Sequence, residues 1–93
     1  MPVILCVLDG TAVRSLEDFY DQLAARLPLP EHFGRNLDAL WDVLSTEIEG
    51  PFEIAWKNSH ASRKAMGPDY DRVLKLLQDL KQERKDFRLK IEP

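Results

Sequence analysis

The chain has 93 residues, of which 44% are hydrophobic and 31% are charged, and its formal net charge is −3. This length predicts one domain over residues 1–93, because it leaves no room for a second core. The longest apolar run, Val3 to Leu8, is too short to span a membrane, and its flanks are not those of a signal peptide. We therefore expect a cytoplasmic globular protein that does not associate with membranes.

The charges are distributed unevenly along the chain. Residues 1–53 contain 10 acidic and 3 basic residues, whereas residues 54–93 contain 6 acidic and 10 basic ones. An acidic surface repels phosphate groups and attracts cationic proteins. The first half therefore predicts a basic protein partner and no direct binding of nucleic acid. The basic C-terminal third weakens this argument against nucleic-acid binding, although its basic residues could simply form a solvated face.

The chain contains one cysteine, Cys6, in the middle of the apolar run. A single cysteine cannot form a disulfide within the chain, which fits a reducing compartment. Catalysis by a thiol requires exposure and a neighbouring base. We therefore expect Cys6 to be a small hydrophobic residue of a strand.

The first half of the chain predicts a strand followed by two helices. The continuous apolar run over 3–9 ends in an Asp-Gly turn and predicts a buried strand. Ser15 and the acidic residues after it begin an amphipathic helix over 15–27, which prolines stop. After a loop, Asn36 is a good N-cap. The apolar residues of a second amphipathic helix follow it at helical spacing: Leu37, Leu40, Trp41 and Leu44.

The second half predicts two strands around a third helix. Phe52, Ile54 and Trp56 alternate with less apolar residues, which is the period of a half-buried strand. The polar residues 58–64 predict a loop. A third helix begins at 68 or 69, and its apolar residues are Tyr70, Val73, Leu74, Leu77 and Leu80. The alternation of Phe87, Leu89 and Ile91 predicts a final half-buried strand.

The predicted order is therefore β-α-α-β-α-β. Strands joined by helical crossovers are usually parallel neighbours in one sheet. Because two of the three strands alternate, only one face of the sheet should be covered. We expect an α/β fold of two layers, with a three-stranded parallel sheet, helices on one face, and Trp41 and Trp56 in the core or at its edge.

Two aspartates of the second helix form the first candidate site. Asp38 and Asp42 are four residues apart and lie partly away from the apolar stripe of the helix. Like charges at this spacing repel each other by roughly a few tenths of a kcal/mol. Asp38 lies in the first turn, where the helix dipole favours an anion. The pattern allows a solvated acidic face, which it favours, or an anionic ridge that meets a cationic site on another protein.

The loop before this helix offers His32, Phe33 and Asn36 as contact residues, although Phe33 could equally pack on the helix start. Catalysis is poorly supported, because a nuclease needs cations around the phosphate and this segment is acidic. There is no Gly-rich phosphate loop or nucleophile elbow. His32, Asp38 and Asp42 lack a recognised metal-ligand spacing. We predict a protein that is not an enzyme and holds neither metal nor cofactor.

The stretch over residues 29–44, LPEHFGRNLDALWDVL, closely resembles the signature of the barstar family. The resemblance also covers the whole chain in the order of its elements. It implies a two-layer, barstar-like domain with a three-stranded parallel sheet. It also implies inhibition of a small bacterial ribonuclease of the guanyl (barnase-like) type, whose active site is occluded by the acidic helix and the loop before it.

The resemblance assigns roles by position. Asp42 matches the aspartate that occupies the phosphate site of the enzyme, and Asp38 matches one that pairs with an arginine. Asp79, on the third helix, lies where the family has an acidic contact, although its side chain is one carbon shorter than the expected glutamate. The predicted partner-binding residues are His32, Phe33, Gly34, Arg35, Asn36, Leu37, Asp38, Trp41, Asp42 and Asp79.

Three positions depart from the best-known member of the family. His32 replaces a tyrosine, Arg35 replaces an acidic residue, and Glu47 replaces a tryptophan. Histidine also titrates near neutral pH, so binding could depend on pH. We expect a protein that is monomeric when free and forms a 1:1 complex with a basic ribonuclease. The alternative is a non-inhibitory interaction module, of an antitoxin or immunity type, that docks on another cationic protein.

Overall fold

The computed structural model describes residues 3–93. Its elements are β1 (Ile4–Asp9), α1 (Leu16–Arg26), α2 (Leu37–Asp42), a π-helical segment (Val43–Glu47), β2 (Phe52–Lys57), α3 (Ser59–Met66), α4 (Pro68–Glu83) and β3 (Phe87–Ile91). The three strands form one parallel sheet in the order β1-β2-β3. This confirms the predicted α/β class, the parallel three-stranded sheet and its helical crossovers.

The two faces of the sheet differ in burial, as the alternating strands predict. On one face, neighbouring residues such as Leu8, Trp56 and Ile91 share a register row, and Trp56 is completely buried. Its ring stacks on Phe19 of α1 at 5.5 Å between centroids and lies 5.2 Å from Tyr70 of α4. The other face carries the exposed side chains of Leu5 and Arg88. The helices therefore pack on the first of these faces.

The prediction of a loop over 58–64 is wrong, because residues 59–66 form α3. The buried side of this helix contains two serines and one methionine, so it lacks the apolar spacing that identifies a helix. Ser62 is fully buried. Its hydroxyl accepts a hydrogen bond from Trp56 Nε1 at 3.1 Å and donates one to the Gly10 carbonyl at 3.0 Å. A buried polar contact therefore ties α3 to the sheet, in addition to the burial of Met66 in the core.

The second helix begins at the predicted N-cap but changes its winding. After Asp42 the backbone becomes π-helical, and the Ile48 N–H donates to the Val43 carbonyl, five residues back. Leu40, Val43 and Leu44 are buried in the core, whereas Trp41 is half-buried against it. Within residues 3–93, no helix is both long and apolar enough to cross a membrane.

Candidate functional site

The start of α2 is defined by Asn36. The backbone of this residue is extended, and its Oδ1 accepts a hydrogen bond from the Ala39 N–H at 2.8 Å. Such a cap satisfies one of the free N–H groups of the first turn. Asp38 lies in this turn with its side chain exposed. The predicted contact residue Asn36 therefore also has a structural role, which is to set where the acidic helix begins.

Asp42 lies at the junction between α2 and the π-helical segment. Its side chain is exposed, and its carbonyl accepts a hydrogen bond of 2.6 Å from the Thr46 hydroxyl. Among residues 3–93, the ion pairs include neither Asp38 nor Asp42. Both carboxylates are thus available to an external cation. π-helical turns are rare and often occur at functional sites.

A groove of about 280 Å³ separates the loop from the helix. The residues that line it are Pro30, His32, Phe33, Gly34, Ala39, Asp42, Val43, Thr46 and Glu47. Four predicted site residues therefore meet here: His32, Phe33, Gly34 and Asp42. Pro30, Ala39, Val43 and Thr46 are not among the residues predicted from the sequence. The spacing of four residues between Asp42 and Thr46 is a helical signal for the last of them.

The loop side of the groove is packed against α1. Phe33 is half-buried, and its ring meets the ring of Tyr20 edge-on, with 5.6 Å between centroids. Phe33 thus lines the groove and packs on Tyr20 of α1 rather than on the start of α2, and its role as a contact residue stays a prediction. A side chain at Gly34 would make only ordinary contact with Ala39. Glycine at this position is not required by the backbone, and it leaves the groove open.

Arg35 contacts α1. Its guanidinium lies 2.9 Å from the Glu17 carboxylate and 2.8 Å from that of Asp21, and it also donates to the Glu17 carbonyl. These hydrogen bonds raise the pKa of Arg35 above its ordinary value. Glu17 and Asp21 therefore offset the positive charge of Arg35, which stands where the family pattern has an acidic residue.

The remaining predicted residues lie outside the groove. Leu37 and Trp41 are half-buried against the core, beside the exposed acidic side of the helix. Asp79 is exposed on α4, where its carboxylate lies 3.0 Å from Lys75 Nζ. Asp79 is not among the residues that line the groove, although α4 packs against both α2 and the π-helical segment.

A larger concavity, of about 410 Å³, contains none of the predicted site residues. It lies between α3 and the turn after β1, and two cations, Arg14 and Lys64, line it. These cations contrast with the acidic residues Asp42 and Glu47 that line the groove. In the part of the chain that the structure describes, no group of three or more His, Cys, Asp or Glu residues could hold a metal ion.

The described part of the chain thus combines a two-layer α/β fold with an exposed acidic helix beside a groove. Comparison with known proteins identifies its family. The family model described as "Barstar (barnase inhibitor)" matches residues 3–92. The chain therefore belongs to the barstar family, and the predicted resemblance is confirmed. Membership in a family of inhibitors also confirms the prediction that the chain is not an enzyme.

A Bacillus subtilis (strain 168) protein is similar over nearly the same length. It is named "Putative ribonuclease inhibitor YrdF" and is 37% identical over 87 residues. The match covers 92% of this chain and 96% of that protein. This similarity supports the same family over the whole described fold, from β1 to β3.

Proposed function

We propose that this protein inhibits a small guanyl-type ribonuclease by inserting Asp38 and Asp42 into the enzyme's active site in a 1:1 complex. The observation that carries the proposal is the exposed, unpaired carboxylate of Asp42 at the edge of the groove. The loop supplies the opposite wall through His32 and Phe33. Family membership supports a ribonuclease as the partner.

The proposed mechanism is mimicry of the RNA phosphate. A ribonuclease gathers arginine, lysine and histidine around the phosphate, and a carboxylate can accept charge-assisted hydrogen bonds from the same groups. Asp42 would occupy the phosphate position, and Asp38 would pair with a neighbouring arginine. These cations would also relieve the repulsion between the two aspartates. Substrate is excluded because its binding site is filled.

The way the helix is held favours tight binding. Asn36 caps its start, Arg35 ties the preceding loop to α1, and Leu40, Val43 and Leu44 are buried beneath it. Little conformational freedom is left to lose when the partner binds, which lowers the cost of association. The acidic first half of the chain would speed the encounter with a basic enzyme, and salt would weaken that effect.

The test is inhibition of RNA cleavage by a barnase-type ribonuclease, with Asp42→Asn as the decisive variant. This change keeps the shape of the side chain and removes its charge. Breaking a buried charge pair costs about 3–5 kcal/mol, so we expect affinity to fall by about 100-fold or more. The matched control is Glu53→Gln, which removes one charge from the sheet face opposite to the helices. If both variants inhibit as the wild type does, Asp42 is not the phosphate mimic.

A second candidate is a non-inhibitory module for another cationic protein. The groove supports it, because His32 and Glu47 line it where the family pattern differs. A photo-crosslinking group at position 47 would identify the partner in an extract of the source organism. Capture of a basic protein without nuclease activity, together with no inhibition of a barnase-type enzyme, would favour this candidate over the first. Capture of a ribonuclease would exclude it.

A further inference from the structure

The carboxyl end of the acidic helix contacts a residue from a distant part of the chain. Arg84, which ends α4, donates from Nη1 to the carbonyl of Leu44 at 2.9 Å and to that of Ile48 at 2.6 Å. Its side chain is only 14% exposed. These carbonyls lie within and directly after the π-helical segment that follows Asp42. Arg84 therefore contacts the backbone at the carboxyl end of the proposed binding helix.

The last turn of this helix is stabilised by such a contact. The last carbonyls of a helix have no partner within it, and a cation at this end is favoured by the helix dipole. Neither α2 nor the π-helical segment has a basic residue in its last turn. Arg84 supplies both the donors and the charge. Forty residues of sequence separate it from Leu44.

The guanidinium of Arg84 is itself held by an ion pair and by an aromatic ring. Asp86 accepts hydrogen bonds from its Nε at 2.9 Å and from its Nη2 at 2.7 Å. The ring of Phe52 lies 4.9 Å from its central carbon. Gly50 leaves the space that the pair occupies, because a Cβ there would overlap the Asp86 carboxylate. Such a planar, two-pronged ion pair has a defined geometry.

We propose that Arg84 is a positioning residue for inhibition: by bonding to the Leu44 and Ile48 carbonyls, it keeps the π-helical segment wound and holds Asp42 in the direction that the partner requires. The inference rests on the proposed function for its effect on binding. Its effect on the helix end does not, because the contacts exist within the free protein. Arg84 acts through the helix, whereas Asp42 contacts the enzyme.

Arg84→Met is the first test, because methionine retains an apolar stem over Phe52 and removes the donors. In the free protein, we expect amide hydrogen exchange to accelerate about tenfold or more over residues 43–48, with little change in α1. Against a barnase-type ribonuclease, we expect dissociation to become about tenfold faster. Arg84→Lys should recover part of both effects, since one ammonium can reach one carbonyl.

The matched control is Arg72→Met, on the exposed side of α4, where Arg72 pairs with Asp69. Each variant changes the net charge from −3 to −4, because one of 13 basic residues is lost. Added negative charge should favour a basic enzyme, so a purely electrostatic effect would tighten binding. Weaker binding by Arg84→Met alone therefore identifies positioning. Asp86→Asn, which loosens the guanidinium, should weaken binding to a smaller extent.

The outcomes separate this inference from the proposed function. If folded Arg84→Met and Arg84→Lys dissociate as slowly as the wild type, or if exchange accelerates uniformly along the chain, the positioning role is refuted. If the wild type does not inhibit the ribonuclease, the proposed function fails. The exchange experiment on the free protein then still decides whether Arg84 orders the segment after Asp42.

Discussion

Replacing Ser62 with alanine removes one oxygen atom and should cost a large part of the protein's stability. The Ser62 hydroxyl is completely buried between the indole N–H of Trp56 and the carbonyl of Gly10, at 3.1 and 3.0 Å. Without it, a buried donor and a buried acceptor both lose their partner. Each unsatisfied group costs about 1–2 kcal/mol, so we expect Ser62→Ala to lower the free energy of unfolding by about 2–4 kcal/mol.

Urea denaturation followed by circular dichroism measures this loss, since small domains usually unfold in one cooperative step. The midpoint should fall at an unchanged m-value. For a chain of this size, each kcal/mol of lost stability lowers the melting temperature by about 4–8 °C. The melting temperature should therefore fall by about 10 °C or more. Native Trp56 emission should also change, because its indole loses a hydrogen bond.

Ser59→Ala is the matched control on the same helix. Ser59 is buried, but its side chain is not among the hydrogen-bonded groups that the structure describes. Its removal should cost less than about 1 kcal/mol. Equal and small losses in both variants would refute the reasoning, since they would show that Trp56 and Gly10 find other partners at little cost.

Two further predictions concern the helix cap and the buried thiol. Asn36→Ala should lower the free energy of unfolding by about 1 kcal/mol, because the cap is lost, and it should weaken inhibition because the start of α2 loosens. Asn36→Asp caps equally well, so it should restore the stability in the same urea titration. Burial raises the pKa of the Cys6 thiol from its ordinary value of 9.0 to about 11. The unfolded thiol therefore loses its proton first as the pH rises, so this contribution to stability is complete below pH ~8 and declines towards pH 11, by roughly 3 kcal/mol. Cys6→Ala should lack this part of the decline in urea titrations from pH 7 to 11, and an equal decline in both proteins would contradict the prediction.

The sequence located the acidic helix because its signals are local. Asn36 is a recognisable cap, and the exposed positions of Asp38 and Asp42 follow from the apolar spacing around them. The family motif falls on the same residues. The groove could not be predicted from local signals, because it depends on how the loop packs against Tyr20 and on the π-helical turn that contains Thr46.

The effect of a departure from the family pattern could also be seen only in the structure. Arg35 adds a positive charge to an acidic segment when only the sequence is considered. In the fold, Glu17 and Asp21 offset that charge, because α1 packs beside the loop. Long-range ion pairs of this kind have no periodic signal in a sequence.

The class of fold was determined by the sequence alone, because the periods of two residues in Phe52–Lys57 and Phe87–Ile91 define strands with one buried face. The same is true of the acidic helix that begins at Asn36. The helix over Ser59–Met66 was decided only by tertiary structure, since a buried serine takes the place of the apolar residues that periodicity requires. The support of the acidic helix by Arg84 was decided there too, because hydrogen bonds between residues forty positions apart exist only once the chain has folded.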